Sequence, residues 1–228
     1  KEIGASQWEE LLTQLEEDSI NWLKISDGNE SDFSDNNYGS KIYRSINGLR
    51  IMKIGQCNVF LLSILRNIDK INTSPVEVIE FIENFSFQYS AICKLPGNKV
   101  EKLYSKYAVQ IDKIVNETIP TRKIPGKIQQ SFHNMTSELK DLLPTETNFI
   151  DNFAKLSYIK KNLTGYVLTR INESMQLTNE YSIDFNNVNI EHILPQKSQK
   201  WGLEQSMVKS YVHLLGNLIW IIQEAWES

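Results

Sequence analysis

Cysteine is scarce in this chain: only Cys57 and Cys93 occur in 228 residues, both among apolar neighbours. That excludes a disulfide framework and points to reduced core thiols. Long apolar runs are missing too. Stretches such as Val59 to Leu62 and Ile219 to Ile222 fall far short of the ~18 residues a membrane-spanning helix needs, which excludes that class of partner. Lys1 leads straight into an acidic amphipathic segment without a basic and then apolar leader, so no secretory signal is expected and a cytoplasmic location fits. No Gly-rich phosphate loop, CxxC pair, internal repeat or low-complexity tract occurs. Positive charge is in deficit, with 28 acidic against 24 basic side chains. At 41% hydrophobic and 23% charged residues, the chain has the composition of an ordinary globular protein, long enough for one large or two small domains.

An acidic chain is a poor match for a phosphate backbone, but the charge is unevenly spread. Residues 1–50 hold ten acidic and five basic side chains, whereas residues 51–228 hold 18 acidic and 19 basic. The acidity belongs to the N-terminal end.

Hydrophobic periodicity predicts helices along most of the chain. Ser6-Gln7-Trp8-Glu9 fits a capping box, with Trp8, Leu11, Leu12, Leu15, Trp22 and Leu23 recurring behind it in a helix from Ser6 to Lys24. Residues 26–40, rich in Ser, Asp, Asn and Gly, read as a mobile surface loop. Helices are expected over residues 43–54 and 56–68, and from a second capping box at Ser74-Pro75-Val76-Glu77 to about Leu95. From Asn98, Lys99, Lys102, Lys106 and Lys113 share one helix face beside an apolar arc of Val100, Leu103, Tyr104, Tyr107, Ile111 and Ile114. That lysine stripe suits a solvated face or a phosphate-contacting rail. Further helices are expected over residues 127–143, 148–162 and 163–175. The pattern then changes: residues 181–193 and 217–221 read as strands, with a short helix near residues 203–210 between them.

The chemically informative segment is Asn189-Ile190-Glu191-His192-Ile193-Leu194-Pro195-Gln196, followed by Trp201 and by His213-Leu214-Leu215-Gly216-Asn217-Leu218. A carboxylate such as Glu191 suits Mg²⁺ or Mn²⁺, and a neutral imidazole such as His192 can take a proton from water. These are parts for metal-assisted phosphodiester hydrolysis. Neighbouring residues on a regular strand point to opposite faces, so the two can cooperate only at a strand end, where Pro195 would stop the ladder. Asn217 follows Gly216, where a carboxamide could hold the loop or the imidazole. His213 reads as packing or a loop brace. His133 has no partner in sequence. Trp201 and Trp220 read as core anchors.

These motifs resemble the HNH-type ββα-metal nuclease domain at the C-terminus of GmrSD-type modification-dependent restriction enzymes and their relatives in bacterial anti-phage defence. The stretches FLLSILRN, YSKYAVQI and YIKKNLTGYVLTRI upstream are similar to the same family. The resemblance implies a mainly α fold: a helical bundle over residues 1–175, then a small ββα-metal β-hairpin module over residues 176–228 that is incomplete at its C-terminal end. It implies that His192 is the general base, that Glu191 is a metal ligand with Asn189 as helper, and that Asn217 orients the histidine and braces the loop. The family's last metal-site residue falls here at Trp226, leaving Gln223, Glu224 or Glu227 as substitutes. DNA, specifically modified phage DNA, is the implied partner, held by Lys99, Lys102, Lys106, Lys113, Lys197 and Lys200. The family's nucleotide-using N-terminal sensor domain, with its DGQQR-type motif, has no counterpart in the sequence, so the chain reads as a C-terminal fragment. The expected function is therefore a divalent-metal-dependent DNA endonuclease domain. The alternative is a non-catalytic helical regulatory or interaction domain with a degenerate nuclease fold. Oligomeric state is not set by the sequence.

Overall fold

The structure, a computed structural model, describes residues 5–34, 38–71, 73–157, 161–175, 188–197 and 201–222. It divides into two compact units, Lys1–Pro144 and Thr145–Ser228. Residues 145–175, grouped with the helical region in the sequence reading, lie in the second unit.

The first unit is helical throughout: α1 (Ala5–Asp27), α2 (Gly39–Ile51), α3 (Asn58–Arg66), α4 (Ile68–Ile71), α5 (Val76–Ser86), α6 (Asn98–Val115) and α7 (Ile124–Lys140). Apolar residues at three- and four-residue steps bury one face of most of these helices. Phe60 of α3 sits at the centre, with ring centroids 6.3 Å from Tyr104 of α6 and 6.2 Å from Phe132 of α7. Around it Ile64, Ile79, Ile82, Ile111, Ile128 and Met135 are at most 1% exposed. The lysine stripe of α6 is where the periodicity placed it, opposite the buried Val100, Tyr104, Tyr107 and Ile111.

Three local expectations are corrected. Ser6 lies inside α1, which already begins at Ala5. Ser74 accepts from the Val76 N–H at 3.3 Å, so its hydroxyl serves the turn before α5 instead of forming the expected box with Glu77. Residues 26–40 are more ordered than their polarity suggests. α1 runs on to Asp27, and a 3₁₀ turn at Glu30–Phe33 follows, closed by Asn29 N–H donating to Asp32 Oδ2 at 2.7 Å. Phe33 is buried beside Tyr43 at 5.9 Å, one aromatic anchor outweighing the polar run around it. Gly39 lets α2 start against that turn, because a Cβ there would lie 1.8 Å from the Phe33 carbonyl oxygen.

After Ser86 the chain continues as one π-helical stretch, Phe87–Ile92, which stacks Tyr89 on Phe85 at 5.0 Å and lets the Tyr89 hydroxyl donate to the Pro96 carbonyl at 2.9 Å. α1 is tied to this unit by a polar clasp. Arg66 donates to both oxygens of Asp18 at 2.6 Å and to Asp112 at 3.1 Å. Asp112 also accepts from Ser63 at 2.9 Å and from Asn67 at 2.7 Å.

The second unit contains α8 (Glu146–Phe153), α9 (Lys161–Met175), β1 (Val188–His192), α10 (Gln205–Tyr211) and β2 (Leu218–Ile222). Thr145 caps α8, its hydroxyl accepting from the Asn148 N–H at 3.3 Å. α8 stops at Phe153, short of the expected Asn162. The two strands pair antiparallel, with Glu191 opposite Ile219 and His192 opposite Leu218. The expected strand residues 181–187 lie outside the described residues. No helix among the described residues is long and apolar enough to cross a membrane.

Candidate functional site

Strand alternation sorts the conspicuous residues of β1 onto two faces. Ile190 and His192 share one and Asn189 and Glu191 the other. α9 lies against the first: a Cβ added at Gly165 would meet the Trp220 ring at 3.6 Å and Ile190 Cδ1 at 3.8 Å. Glu191 and Asn189 are exposed, and so is Ile219 across from Glu191. Covering one face therefore half-buries His192 and leaves the carboxylate in solvent.

The ladder ends at His192, as Pro195 foretold, and a side chain takes over from the backbone. Ile193 N–H still donates to the Asn217 carbonyl at 2.8 Å. One residue on, Leu194 N–H donates to Asn217 Oδ1 at 2.6 Å, while Asn217 Nδ2 donates to the carbonyls of Leu194 at 3.1 Å and Val212 at 2.8 Å. The carboxamide thus acts as one more peptide unit, using an acceptor and two donors that no other small side chain offers together. It braces the loop as expected, but the contacts orienting the imidazole come from elsewhere.

Those contacts are His213 and Gln196. His213 Nδ1 lies 3.3 Å from His192 Nε2, the two rings meeting edge to face at 77°, and the Gln196 amide lies 3.4 Å from the His192 ring. Burial and the neighbouring His213 lower the His192 pKa, partly offset by the Glu191 charge, which favours the neutral base near neutral pH. The sequence reading missed both partners. The signal was present, because pairing His192 with Leu218 brings the turn before β2, and with it His213, back to the strand end.

The donor set available for a cation is spare. Among the described residues no three His, Cys, Asp or Glu side chains converge. Asn189 and Glu191, two residues apart on the exposed face, offer one carboxamide and one carboxylate. Mg²⁺ accepts such sparse protein ligation because water and phosphate complete its shell, so the donor chemistry fits a hard cation. Trp226, Gln223, Glu224 and Glu227 lie outside the described residues. Of the lysines, Lys99, Lys102 and Lys113 are exposed on α6, and Lys106 pairs with Glu138 at 2.6 Å. Lys197 is exposed beyond Pro195, and Lys200 lies outside the described residues.

Fold and site together define a mainly helical protein whose second unit presents a carboxylate and a braced imidazole at the end of a two-stranded hairpin. Residues 143–224 match the family model of the C-terminal domain of GmrSD restriction endonucleases. The stretch that is similar to this family holds every site residue just described. Comparison with curated proteins and with solved structures gives no match.

Proposed function

We propose that the chain carries the divalent-metal-dependent DNA endonuclease domain of a bacterial modification-dependent restriction or anti-phage defence protein, of the HNH type. The observation that carries the reading is His192, held at the end of β1 by the Asn217-locked loop and within electrostatic reach of Glu191. The match of residues 143–224 to a restriction endonuclease family supports it.

His192 is the general base. His213 engages Nε2, so Nδ1 is the nitrogen that takes the proton from the attacking water. Asn217 fixes the loop, and so the imidazole's distance from the scissile phosphate, without contacting substrate. Glu191, with Asn189, holds the Mg²⁺ or Mn²⁺ ion, which when bound neutralises charge on the phosphate and leaving oxygen. Lys197 and Lys200, with the α6 lysines, supply sequence-independent attraction to duplex phosphates, so binding weakens as salt rises.

The test is cleavage of modified phage DNA by the full-length natural protein and its His192→Ala and Glu191→Ala variants. A loss of roughly 10²-fold or more is expected for each. A His192→Ala protein that cuts like wild type overturns the reading. So does a Mn²⁺-induced rise in the thermal midpoint that Glu191→Ala leaves intact, or no rise at all, outcomes that favour a non-catalytic interaction domain.

A further inference from the structure

α1 wears its apolar stripe on the outside. At about 100° per residue, Trp8, Leu11, Leu12, Leu15, Trp22 and Leu23 occupy one arc of about 120°. All six are exposed, from 39% at Leu11 to 62% at Leu12 and Leu23. The helix is anchored elsewhere, by the Asp18–Arg66 pair and by the buried Ile25, both outside that arc. Residues 8–17 are exposed all round. A segment this short and uncovered is marginal as a helix in water, and an apolar stripe on it is the pattern of a helix that docks.

Charge indicates what docks there. From Trp8 to Leu23 the helix carries Glu9, Glu10, Glu16, Glu17 and Asp18, and its first cation after Lys1 is Lys24. Glu9 and Glu16 border the stripe on its outer margin. A second copy laid along the same stripe would bring these carboxylates together without a counter-charge, and an anionic bilayer would repel them for the same reason. We propose that the outer face of α1 is a docking surface for a basic amphipathic helix of another polypeptide, whose apolar stripe covers Trp8, Leu12 and Leu15 while its Lys or Arg margin meets Glu9 and Glu16. The surface is independent of the nuclease reading.

Two synthetic peptides of about eighteen residues test it, identical in a Leu stripe and differing in Lys or Glu margins. Each is dye-labelled and titrated with the whole chain by fluorescence anisotropy. The Lys peptide should bind at least about tenfold more tightly than the Glu peptide, and added salt should weaken it. A Leu12→Ser/Leu15→Ser chain should lose binding, and Glu9→Gln/Glu16→Gln should remove only the preference for Lys. The substituted positions are exposed, and far-UV circular dichroism verifies that each variant stays folded. Equal binding of the two peptides overturns the proposal. So does a chain that sediments as a dimer until Leu12→Ser/Leu15→Ser is introduced, which assigns the face to a second copy, or one that binds neutral phosphatidylcholine vesicles in preference to the Lys peptide.

Discussion

Replacing Asn217 separates bracing the loop from merely filling space. The side chain makes three hydrogen bonds at 2.6–3.1 Å, one accepted and two donated. At about 1 kcal/mol net for each, Asn217→Ala should cost roughly 2–4 kcal/mol of local stability in the second unit. Asn217→Asp is the sharper probe. It keeps the acceptor for Leu194 N–H but sets a second oxygen against the carbonyls of Leu194 and Val212, so at neutral pH it should cost at least as much as alanine despite its nearly identical shape. The protonated carboxyl can donate to one of those carbonyls, which raises its folded pKa above the unfolded value. The variant should therefore recover stability as pH falls and lose it as pH rises through that folded pKa. Hydrogen exchange at the Leu194 amide reads this locally, and protection should fall about thirtyfold or more in Asn217→Ala. Unchanged Leu194 exchange in that variant, or Asn217→Asp as stable as wild type at neutral pH, would refute the reasoning.

Three other outcomes follow from the packing. Gly165→Ala should stabilise α9 by up to ~1 kcal/mol, because its methyl meets Trp220 at an ordinary 3.6 Å, whereas Gly165→Leu should lower the melting temperature by pushing the hairpin away. Asp112→Ala removes the shared acceptor of Ser63, Arg66 and Asn67 and should cost about 2 kcal/mol in urea unfolding, with Asp112→Asn costing less because it keeps one acceptor oxygen. Burial pushes the Cys57 thiol up to about 12, while Cys93 is only half-buried, so iodoacetamide on the native chain, followed by mass spectrometry, should modify Cys93 first and reach Cys57 only on unfolding.

Helices with a cation-bearing polar face and a strong apolar arc were legible because period and direction agreed, α6 being the clearest case. α1 shows where that reasoning stops. Periodicity finds an apolar face but not which way it turns, and here the Asp18–Arg66 pair and Ile25 decided the orientation. Phe33 shows a related gap, since one aromatic residue can organise a segment whose average composition reads as loop. At the site, Glu191, His192 and Asn217 stood out because short motifs carry their chemistry locally. The His192–His213 contact spans twenty-one residues and depends on strand register and on where the returning chain ends its turn, neither of which local pattern encodes.

The π-helical stretch after α5 has a bearing on insertions and deletions. Such a turn holds one residue more than the α-helical turn it replaces, so Phe87–Ile92 is a place where the chain carries a spare residue inside continuous hydrogen bonding. Removing one residue there leaves the backbone a regular helix to fall back on, but turns everything beyond it by about 100° relative to α5. Tyr89 would leave both Phe85 and the Pro96 carbonyl. The stretch therefore works as a phase adjuster, setting the angular offset between one helix and the next.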